Sequence, residues 1–287
     1  MSESAHLIGT NPQIMGILNV PQELTDAGER TAVVMLSSGL LHRVGPFRLH
    51  VDLARALARI GIMSFRIDQA GRGDSSRSEG MTAGETIQAE LAIVREFLAG
   101  SQGVDNVVLV GLCSGADDAL ELARHNAFVK GIVLLDGFAA RTPWYYIAYY
   151  GQRILDPVRL GNIIKSRLKR LTAKSSGSGD NRNVEFEELA GIRNLSTVDD
   201  ARTAFGALFE RDGHALCVFT GGVKEYYCYQ GQLRKNLKNR TSKVWLTEVF
   251  YPSANHTYPM VKHRNELVEL IISWIADRFT SRVNNKN

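Results

Sequence analysis

The sequence predicts an α/β protein built on a mostly parallel sheet that helices cover on both faces. Two observations predict it. Short, continuously apolar runs of the kind found in buried parallel strands recur along the chain, and stretches with helical spacing of apolar residues separate them. The chain has 287 residues, of which 44% are hydrophobic and 22% charged. That length suits one large domain, or one domain with an insertion.

The strands are predicted from apolar runs that end in small or polar residues. In chain order they are residues 32–36, 62–67, 106–110, 131–135, 215–219 and 244–249. Helices are predicted from the spacing of apolar residues at residues 48–60, 82–99 and 116–124. A last helix is predicted near the C-terminus, with one apolar face formed by Leu267, Leu270, Ile271, Trp274 and Ile275. Thr82 and Glu85 have the spacing of a capping box, which indicates a helix start.

One stretch breaks this alternation, because no strand-like run occurs between residues 140 and 205. Residues 144–171 are predicted to be helical, and residues 172–194 contain a serine- and glycine-rich segment that predicts a flexible loop. An insertion here lies over the carboxyl ends of the strands, where α/β sheets bind ligands. We therefore predict a helical cap at 140–205 between core segments at 1–139 and 206–287. The alternative is a surface excursion with no role.

The sequence Gly-Leu-Cys-Ser-Gly at residues 111–115 lies between a predicted strand and a predicted helix, which is the context of a nucleophile elbow. The nucleophile of such a turn needs small residues two positions before and after it. Cys113 meets this condition through Gly111 and Gly115, whereas Ser114 would have Leu112 as a neighbour. Cys113 is therefore the predicted nucleophile. The alternative is a buried structural cysteine at a strand end.

Composition and net charge limit the cellular compartments and the partners to be expected. The chain has three cysteines at a spacing that fits no metal motif, and this usage is typical of a reducing, cytoplasmic compartment. There is no apolar run of about 18 residues to predict a membrane span, and the N-terminus lacks the pattern of a signal peptide. The net charge of +4 is too small to indicate a nucleic-acid partner. We expect neither a metal nor a cofactor.

Three stretches resemble a known superfamily. They read Ser-Gly-Leu-Leu-His-Arg-Val-Gly-Pro at 38–46, Phe-Arg-Ile-Asp-Gln-Ala-Gly-Arg-Gly-Asp-Ser at 65–75 and Gly-Leu-Cys-Ser-Gly-Ala at 111–116. The chain resembles the α/β-hydrolase superfamily, and more closely the hydrolases associated with exosortase-type export systems, within the serine-aminopeptidase-like group. The resemblance covers residues 31–136 well and the rest more loosely. It implies the α/β-hydrolase fold, and its motifs specify the fold more than the activity.

The predicted base is His256. The order of residues in this fold places the base after the last strand and before the last helix, where the chain has Asn-His-Thr-Tyr at 255–258. This stretch resembles the Asp-His-Thr-Phe of related hydrolases. The alternative is a turn histidine that caps the following helix. With Cys113, His256 can form a thiolate–imidazolium pair, which the dipole of the helix after the elbow also favours.

The sequence leaves the acid of the site open. The resemblance implies an aspartate in a Gly-x-Asp motif after the strand at 215–219, but the chain has Gly221-Gly222-Val223 there. Glu225 lies two residues further on. Asp136, at the end of the preceding strand, is an equal candidate, because some hydrolases of this fold place their acid there. A third alternative is that no acid is used, since a thiolate–imidazolium pair can tolerate its loss.

An oxyanion hole needs two backbone N–H groups near the nucleophile. One is expected from Ser114, directly after the nucleophile, and the other from Leu40, in the loop after the first predicted strand. Arg43 follows in the same loop. It is either a ligand for a substrate carboxylate or phosphate, or a partner of a local acid, and the second reading is slightly favoured.

The predicted cap is locally basic. Residues 153–182 carry eight basic residues against two acidic ones. The simpler interpretation is a solvated helix face. The sharper hypothesis is a docking surface for an acyl carrier protein or for the phosphates of coenzyme A, with Lys169 and Arg170 as test positions. The aromatic cluster at 144–150 either lines an acyl pocket or forms the packing core of the cap.

These observations favour a cysteine-nucleophile acyl hydrolase, a thioesterase or esterase, that acts through a thioester acyl-enzyme. An acyltransferase that takes its acyl group from a carrier protein or coenzyme A is the alternative, because amines and thiols attack thioesters readily. A third hypothesis is a non-catalytic binding or scaffold protein that reuses the fold, as the missing aspartate suggests.

Overall fold

The computed structural model describes residues 1–24, 29–154, 197–238 and 245–280. They form an eight-stranded sheet in the order β1-β2-β4-β3-β5-β6-β7-β8. The strands are β1 (Ser2–Ile8), β2 (Ile14–Val20), β3 (Thr31–Met35), β4 (Met63–Ile67), β5 (Asn106–Leu112), β6 (Val129–Leu135), β7 (His214–Thr220) and β8 (Leu246–Tyr251). From β4 to β8 all neighbours are parallel, so their carboxyl ends lie along one edge. All six predicted strands are confirmed, with ends displaced by one or two residues.

The hairpin of β1 and β2 is absent from the sequence prediction. The two strands pair antiparallel, and β2 also pairs antiparallel with β4. β1 contains polar residues and is largely exposed, so it has no apolar run to indicate it. At Gly16 in β2, a Cβ atom would lie 2.3 Å from the ring of Phe65, so the glycine leaves room for that core side chain.

The described helices are α1 (Leu49–Arg59), α2 (Ala83–Gln102), α3 (Ser114–His125), α4 (Pro143–Ile154), α5 (Val198–Phe209), α6 (Gln232–Asn236) and α7 (Val261–Phe279). Buried apolar residues of α2, α3 and α5 pack on one face of the sheet, and those of α1 and α7 on the other. Helices thus cover both faces, as predicted. The capping box of Thr82 and Glu85 is present at the start of α2.

The predicted cap falls mostly outside the described residues, because 155–196 are not among them. Its first part is α4, and its predicted end at residue 205 falls within α5. The side chains of Ala204, Phe205 and Leu208 are buried in the main core beside α3. This helix therefore packs on the sheet domain. Across the described ranges, no helix has the length and apolarity needed to cross a membrane.

Candidate active site

Cys113 occupies a strained turn between β5 and α3. Its backbone has φ 55° and ψ −118°, in a region that residues with a Cβ rarely adopt. A Cβ atom at Gly111 would lie 2.0 Å from the carbonyl oxygen of Gly115, and one at Gly115 would lie 2.5 Å from that of Ser37. Both glycines are therefore required for the close backbone contacts of the turn, which agrees with the steric argument from the sequence.

The side chain of His256 lies between those of Cys113 and Asp136. Its Nδ1 is 2.8 Å from Oδ2 of Asp136, and its ring is also hydrogen-bonded to the Cys113 side chain. Because Nδ1 contacts the carboxylate, Nε2 is the ring nitrogen that remains for the thiol. Residues from the ends of β5 and β6 and from the loop after β8 thus meet in one Cys–His–Asp arrangement.

Asp136 is fully buried and held in a left-handed conformation, with φ 50°. Thr220, the last residue of β7, donates to its carboxylate twice, from the backbone N–H to Oδ1 at 2.6 Å and from the hydroxyl to Oδ2 at 2.7 Å. The hydroxyl of Tyr226 donates to its backbone carbonyl at 2.8 Å. These contacts orient the carboxylate toward His256 and compensate for its burial. Sequence reasoning missed Thr220 and Tyr226, because no motif marks them.

The pKa of His256 is raised from its ordinary value of 6.5 to about 9. Burial acts in the opposite direction, since it disfavours the charged ring. The hydrogen bonds to Asp136 and Cys113, together with their negative charges, outweigh burial. This direction favours the imidazolium form of the ring, which is the form that a thiolate–imidazolium pair requires.

The structure separates the two candidate acids. Asp136 contacts His256, whereas Glu225 is exposed and its backbone carbonyl accepts bonds from Arg141 and Tyr145. Assigning Glu225 as the acid therefore finds no support in the geometry.

Val223, at the position where the resemblance implies an aspartate, is only 6% exposed and packs in the apolar core. The two residues before it, Gly221 and Gly222, allow close backbone contacts. A Cβ atom at Gly222 would lie 2.6 Å from the backbone nitrogen of His256, and one at Gly221 would lie 2.0 Å from the carbonyl oxygen of Pro252. The two glycines thus let the end of β7 approach the loop that carries His256.

The loop after β3 lies against the elbow. The backbone N–H of Gly39 donates to the hydroxyl of Ser114 at 3.0 Å, so that N–H is occupied. The next N–H, that of Leu40, has no hydrogen-bond partner among the described residues, and the Leu40 side chain is 96% exposed. The backbone N–H of Ser114 opens the first turn of α3, where amides point away from the helix. The roles of Leu40 and Ser114 as donors of an oxyanion hole stay a prediction.

The Arg43 side chain forms ion pairs with two nearby acidic residues. Its guanidinium forms an ion pair with Asp68, and a second one with Asp74 at 2.8 Å. Its backbone N–H also donates to Asp68 at 2.5 Å. These contacts agree with the local pairing that the sequence slightly favoured, and a role of Arg43 in binding substrate stays a prediction.

Two features that the sequence related to substrate binding, the basic segment and the aromatic cluster at 144–150, are not part of the Cys–His–Asp arrangement. Lys169 and Arg170 of the basic segment lie outside the described residues. Of the aromatic residues in α4, Tyr145 is buried, while Trp144 is 53% and Tyr146 48% exposed.

Within the described ranges, no three histidine, cysteine or acidic side chains converge to hold a metal ion.

No protein-family model matches the sequence, and no curated protein matches it significantly. Solved structures do match. DcsB, solved in complex with its substrate analogue, is 15% identical, with a TM-score of 0.59 over 96% of this chain and 99% of that one. A putative α/β hydrolase from Agrobacterium tumefaciens is 12% identical, with a TM-score of 0.56 over 96% of each chain. An esterase from Pyrococcus furiosus is 12% identical, with a TM-score of 0.59 over 96% of this chain and 92% of that one. The chain therefore has the predicted α/β-hydrolase fold.

Proposed function

We propose that this α/β-hydrolase-fold protein is an acyl hydrolase for esters or thioesters, with Cys113 as its nucleophile. The observation that carries the proposal is the chain of contacts from Cys113 in the strained elbow, through His256, to the buried carboxylate of Asp136. A nucleophile hydrogen-bonded to a base that a third group orients is the arrangement of nucleophilic acyl transfer. The hydrolases among the matching structures make such chemistry plausible for this fold.

In the proposed reaction, the Cys113 thiolate attacks the acyl carbonyl carbon and a carbon–sulfur bond forms. The carbonyl oxygen becomes an oxyanion that accepts hydrogen bonds from the N–H groups of Ser114 and Leu40. The bond to the leaving alkoxide or thiolate then breaks, and the imidazolium of His256 gives that group its proton. Asp136 holds the ring in the required tautomer. The product of this half-reaction is an acyl thioester on Cys113.

Water completes the cycle. Neutral His256 takes a proton from the attacking water, whose oxygen forms a bond to the acyl carbon. The carbon–sulfur bond breaks, the carboxylic acid leaves, and the thiolate–imidazolium pair is restored. If an amine or thiol attacks instead of water, the same intermediate gives an acyltransferase, and the thioester favours this alternative because it reacts readily with both.

Intact mass spectrometry after incubation with a panel of acyl thioesters tests the proposal. We expect an acyl adduct on the wild-type protein and none on Cys113→Ala. Cys228→Ala is the matched control, because Cys228 is also partly exposed but lies against Tyr145. It should acylate like the wild type. Decay of the adduct in buffer, with and without an added amine, separates hydrolysis from transfer.

A non-catalytic protein would give a different result. Iodoacetamide would then label Cys113 near neutral pH no faster than an ordinary free thiol, and no acyl adduct would form with any thioester. A requirement for an acyl carrier protein or coenzyme A as donor remains a prediction. Neutralising Lys169 and Arg170 would reduce acylation by carrier-bound donors and spare small esters if that prediction holds.

A further inference from the structure

A fully buried glutamine follows the loop after β7, and the proposed mechanism does not use it. Gln232 is the first residue of α6, and its side chain has no exposed surface. Burial of an amide is unfavourable unless its polar atoms have hydrogen-bond partners. The partners of Gln232 therefore show which parts of the molecule it holds together.

The Gln232 amide bonds to three backbone groups. Its nitrogen donates to the carbonyl of Ala140 at 2.9 Å and to the carbonyl of Tyr226 at 2.5 Å. Its oxygen accepts from the backbone N–H of Cys228 at 3.1 Å. One side chain thus joins two segments that are distant along the chain, the loop after β7 and the segment that follows β6.

Both of these segments lead to Asp136. Ala140 lies four residues after Asp136, and its backbone N–H donates to the side chain of Asn236, at the other end of α6, at 3.0 Å. Tyr226 contacts the acid directly, because its hydroxyl donates to the Asp136 carbonyl at 2.8 Å. Tyr226 is therefore held at two points, by Gln232 at its backbone and by Asp136 at its hydroxyl.

Asp136 needs such support because its backbone is strained. Its φ of 50° lies in the left-handed region, which a non-glycine residue keeps only where the surrounding structure determines it. The same residue carries the carboxylate that is 2.8 Å from Nδ1 of His256. A shift of segment 136–140 would therefore move the acid relative to the base.

We propose that Gln232 is a positioning residue of the active site, which fixes the Asp136 carboxylate against His256 through Tyr226 and Ala140. It acts through the backbone groups that it holds and not on the reacting atoms. Its effect on acylation rests on the proposed acyl hydrolase function, whereas its effect on the contact between Asp136 and His256 does not.

Gln232→Met tests this role, because methionine has a similar length but lacks the N–H donors of the amide. Burial lowers the pKa of His256, and the bond to Asp136 is the largest contribution that raises it to about 9. In the variant, an NMR titration of the histidine ring protons should give a pKa lower by about one pH unit or more. Acylation by a saturating thioester should slow by about tenfold to a hundredfold, as a displaced catalytic group predicts. The half-saturating thioester concentration should not change.

Gln230→Met is the matched control. Gln230 lies in the same loop and its amide also donates to a backbone carbonyl, but to that of Glu248 in β8. Both substitutions remove hydrogen bonds and should lower the free energy of unfolding, as urea unfolding measures. Only Gln232→Met should change the pKa of His256 and the acylation rate. Equal changes of this pKa in the two variants, or no change in either, would overturn the proposal.

Tyr226→Phe tests the connection itself, and it applies even if Gln232→Met does not fold. It removes the bond to the Asp136 carbonyl and leaves the backbone bond to Gln232 in place. It should lower the pKa of His256. In the Gln232→Met background the same substitution should have a smaller effect, because both changes break one connection. A wild-type pKa of His256 in Tyr226→Phe would contradict positioning through Tyr226.

The positioning role and the proposed function can fail separately. A lowered pKa of His256 in Gln232→Met, in a protein that no thioester acylates, would contradict the acyl hydrolase function and support the positioning role. Acylation of the wild type, with an unchanged pKa of His256 and an unchanged acylation rate in Gln232→Met, would do the reverse.

Discussion

The hydrogen bond between Asp136 and His256 can be tested with Asp136→Asn. Asparagine keeps the shape of the side chain, but it removes the negative charge and places an amide NH₂ where the carboxylate oxygen accepted from Nδ1. The ring is then forced toward the tautomer with its proton on Nε2, which faces the thiol. In a serine triad the same change lowers kcat by about 10⁴-fold. A thiolate depends less on base activation, so we expect a loss of roughly 10²- to 10⁴-fold here.

The size of the effect on His256 follows from its pKa. Burial lowers the pKa, and the partners Asp136 and Cys113 raise it to about 9, against an ordinary 6.5. At 1.36 kcal/mol per pH unit, the difference favours the imidazolium by about 3 kcal/mol. The bond to Asp136 is the largest of the raising contributions. In Asp136→Asn the pKa of His256 should therefore move from about 9 toward 6.5.

The sign of the effect on stability is fixed by the same pKa. Because the pKa of His256 is higher in the folded protein than in the unfolded chain, the charged ring stabilises the fold fully below about pH 6.5. That stabilisation is lost as the pH rises through about 9. The free energy of unfolding of the wild type should fall across this window, and that of Asp136→Asn should fall less.

Two measurements check these expectations. An NMR titration of the histidine ring protons from about pH 5 to pH 10 gives the pKa of His256 directly. The rate of Cys113 alkylation by iodoacetamide near pH 6.5 reports the thiolate that the imidazolium stabilises, and it should fall in the variant. Glu225→Gln is the matched control, since it removes the other candidate carboxylate. If Glu225→Gln moved the titration and Asp136→Asn did not, the assignment of the acid would be wrong.

Two further predictions concern the elbow. Gly115→Ala places a methyl group 2.5 Å from the carbonyl oxygen of Ser37, so it should lower the free energy of unfolding by about 1–3 kcal/mol. The control is Gly100→Ala in α2, where the added methyl group meets nothing within 4 Å. It should raise the free energy of unfolding by up to about 1 kcal/mol. Urea unfolding distinguishes them, and equal effects would contradict the steric argument. Ser114→Ala removes the acceptor for the N–H of Gly39, so acylation should slow by about threefold to tenfold, the equivalent of one neutral hydrogen bond. Unchanged acylation would show that this bond does not position the loop after β3 for the reaction.

The sequence was sufficient for those parts of the molecule that local patterns determine. The largely apolar strands β3 to β8 and the glycine-flanked turn at Cys113 are each encoded within about ten residues, and all are present. The β1–β2 hairpin is missing from the sequence prediction, although β2 itself contains the apolar run Ile14-Met15-Gly16-Ile17-Leu18. β1 begins with polar residues and lies largely exposed at one edge of the sheet, where it pairs with β2.

The acid could not be chosen from the sequence, because the choice depends on three segments that are distant along the chain. Asp136, Thr220 and His256 come from the end of β6, the end of β7 and the loop after β8. Only the order of the strands in the sheet brings these ends together. The absence of an aspartate after β7 suggested an incomplete site, yet the neighbouring strand end supplies a carboxylate in hydrogen-bonding contact with the histidine.

The position of this carboxylate also explains the residues at the end of β7. A carboxylate at the end of β6 needs donors from its neighbour, and Thr220 provides two of them. The following Gly221 and Gly222 have no side chains, so the loop bearing His256 can reach across the end of β7 toward Asp136. Val223 is then free to pack in the core. The departure from the Gly-x-Asp pattern is thus consistent with a site in which β7 holds the acid in place and β6 provides it.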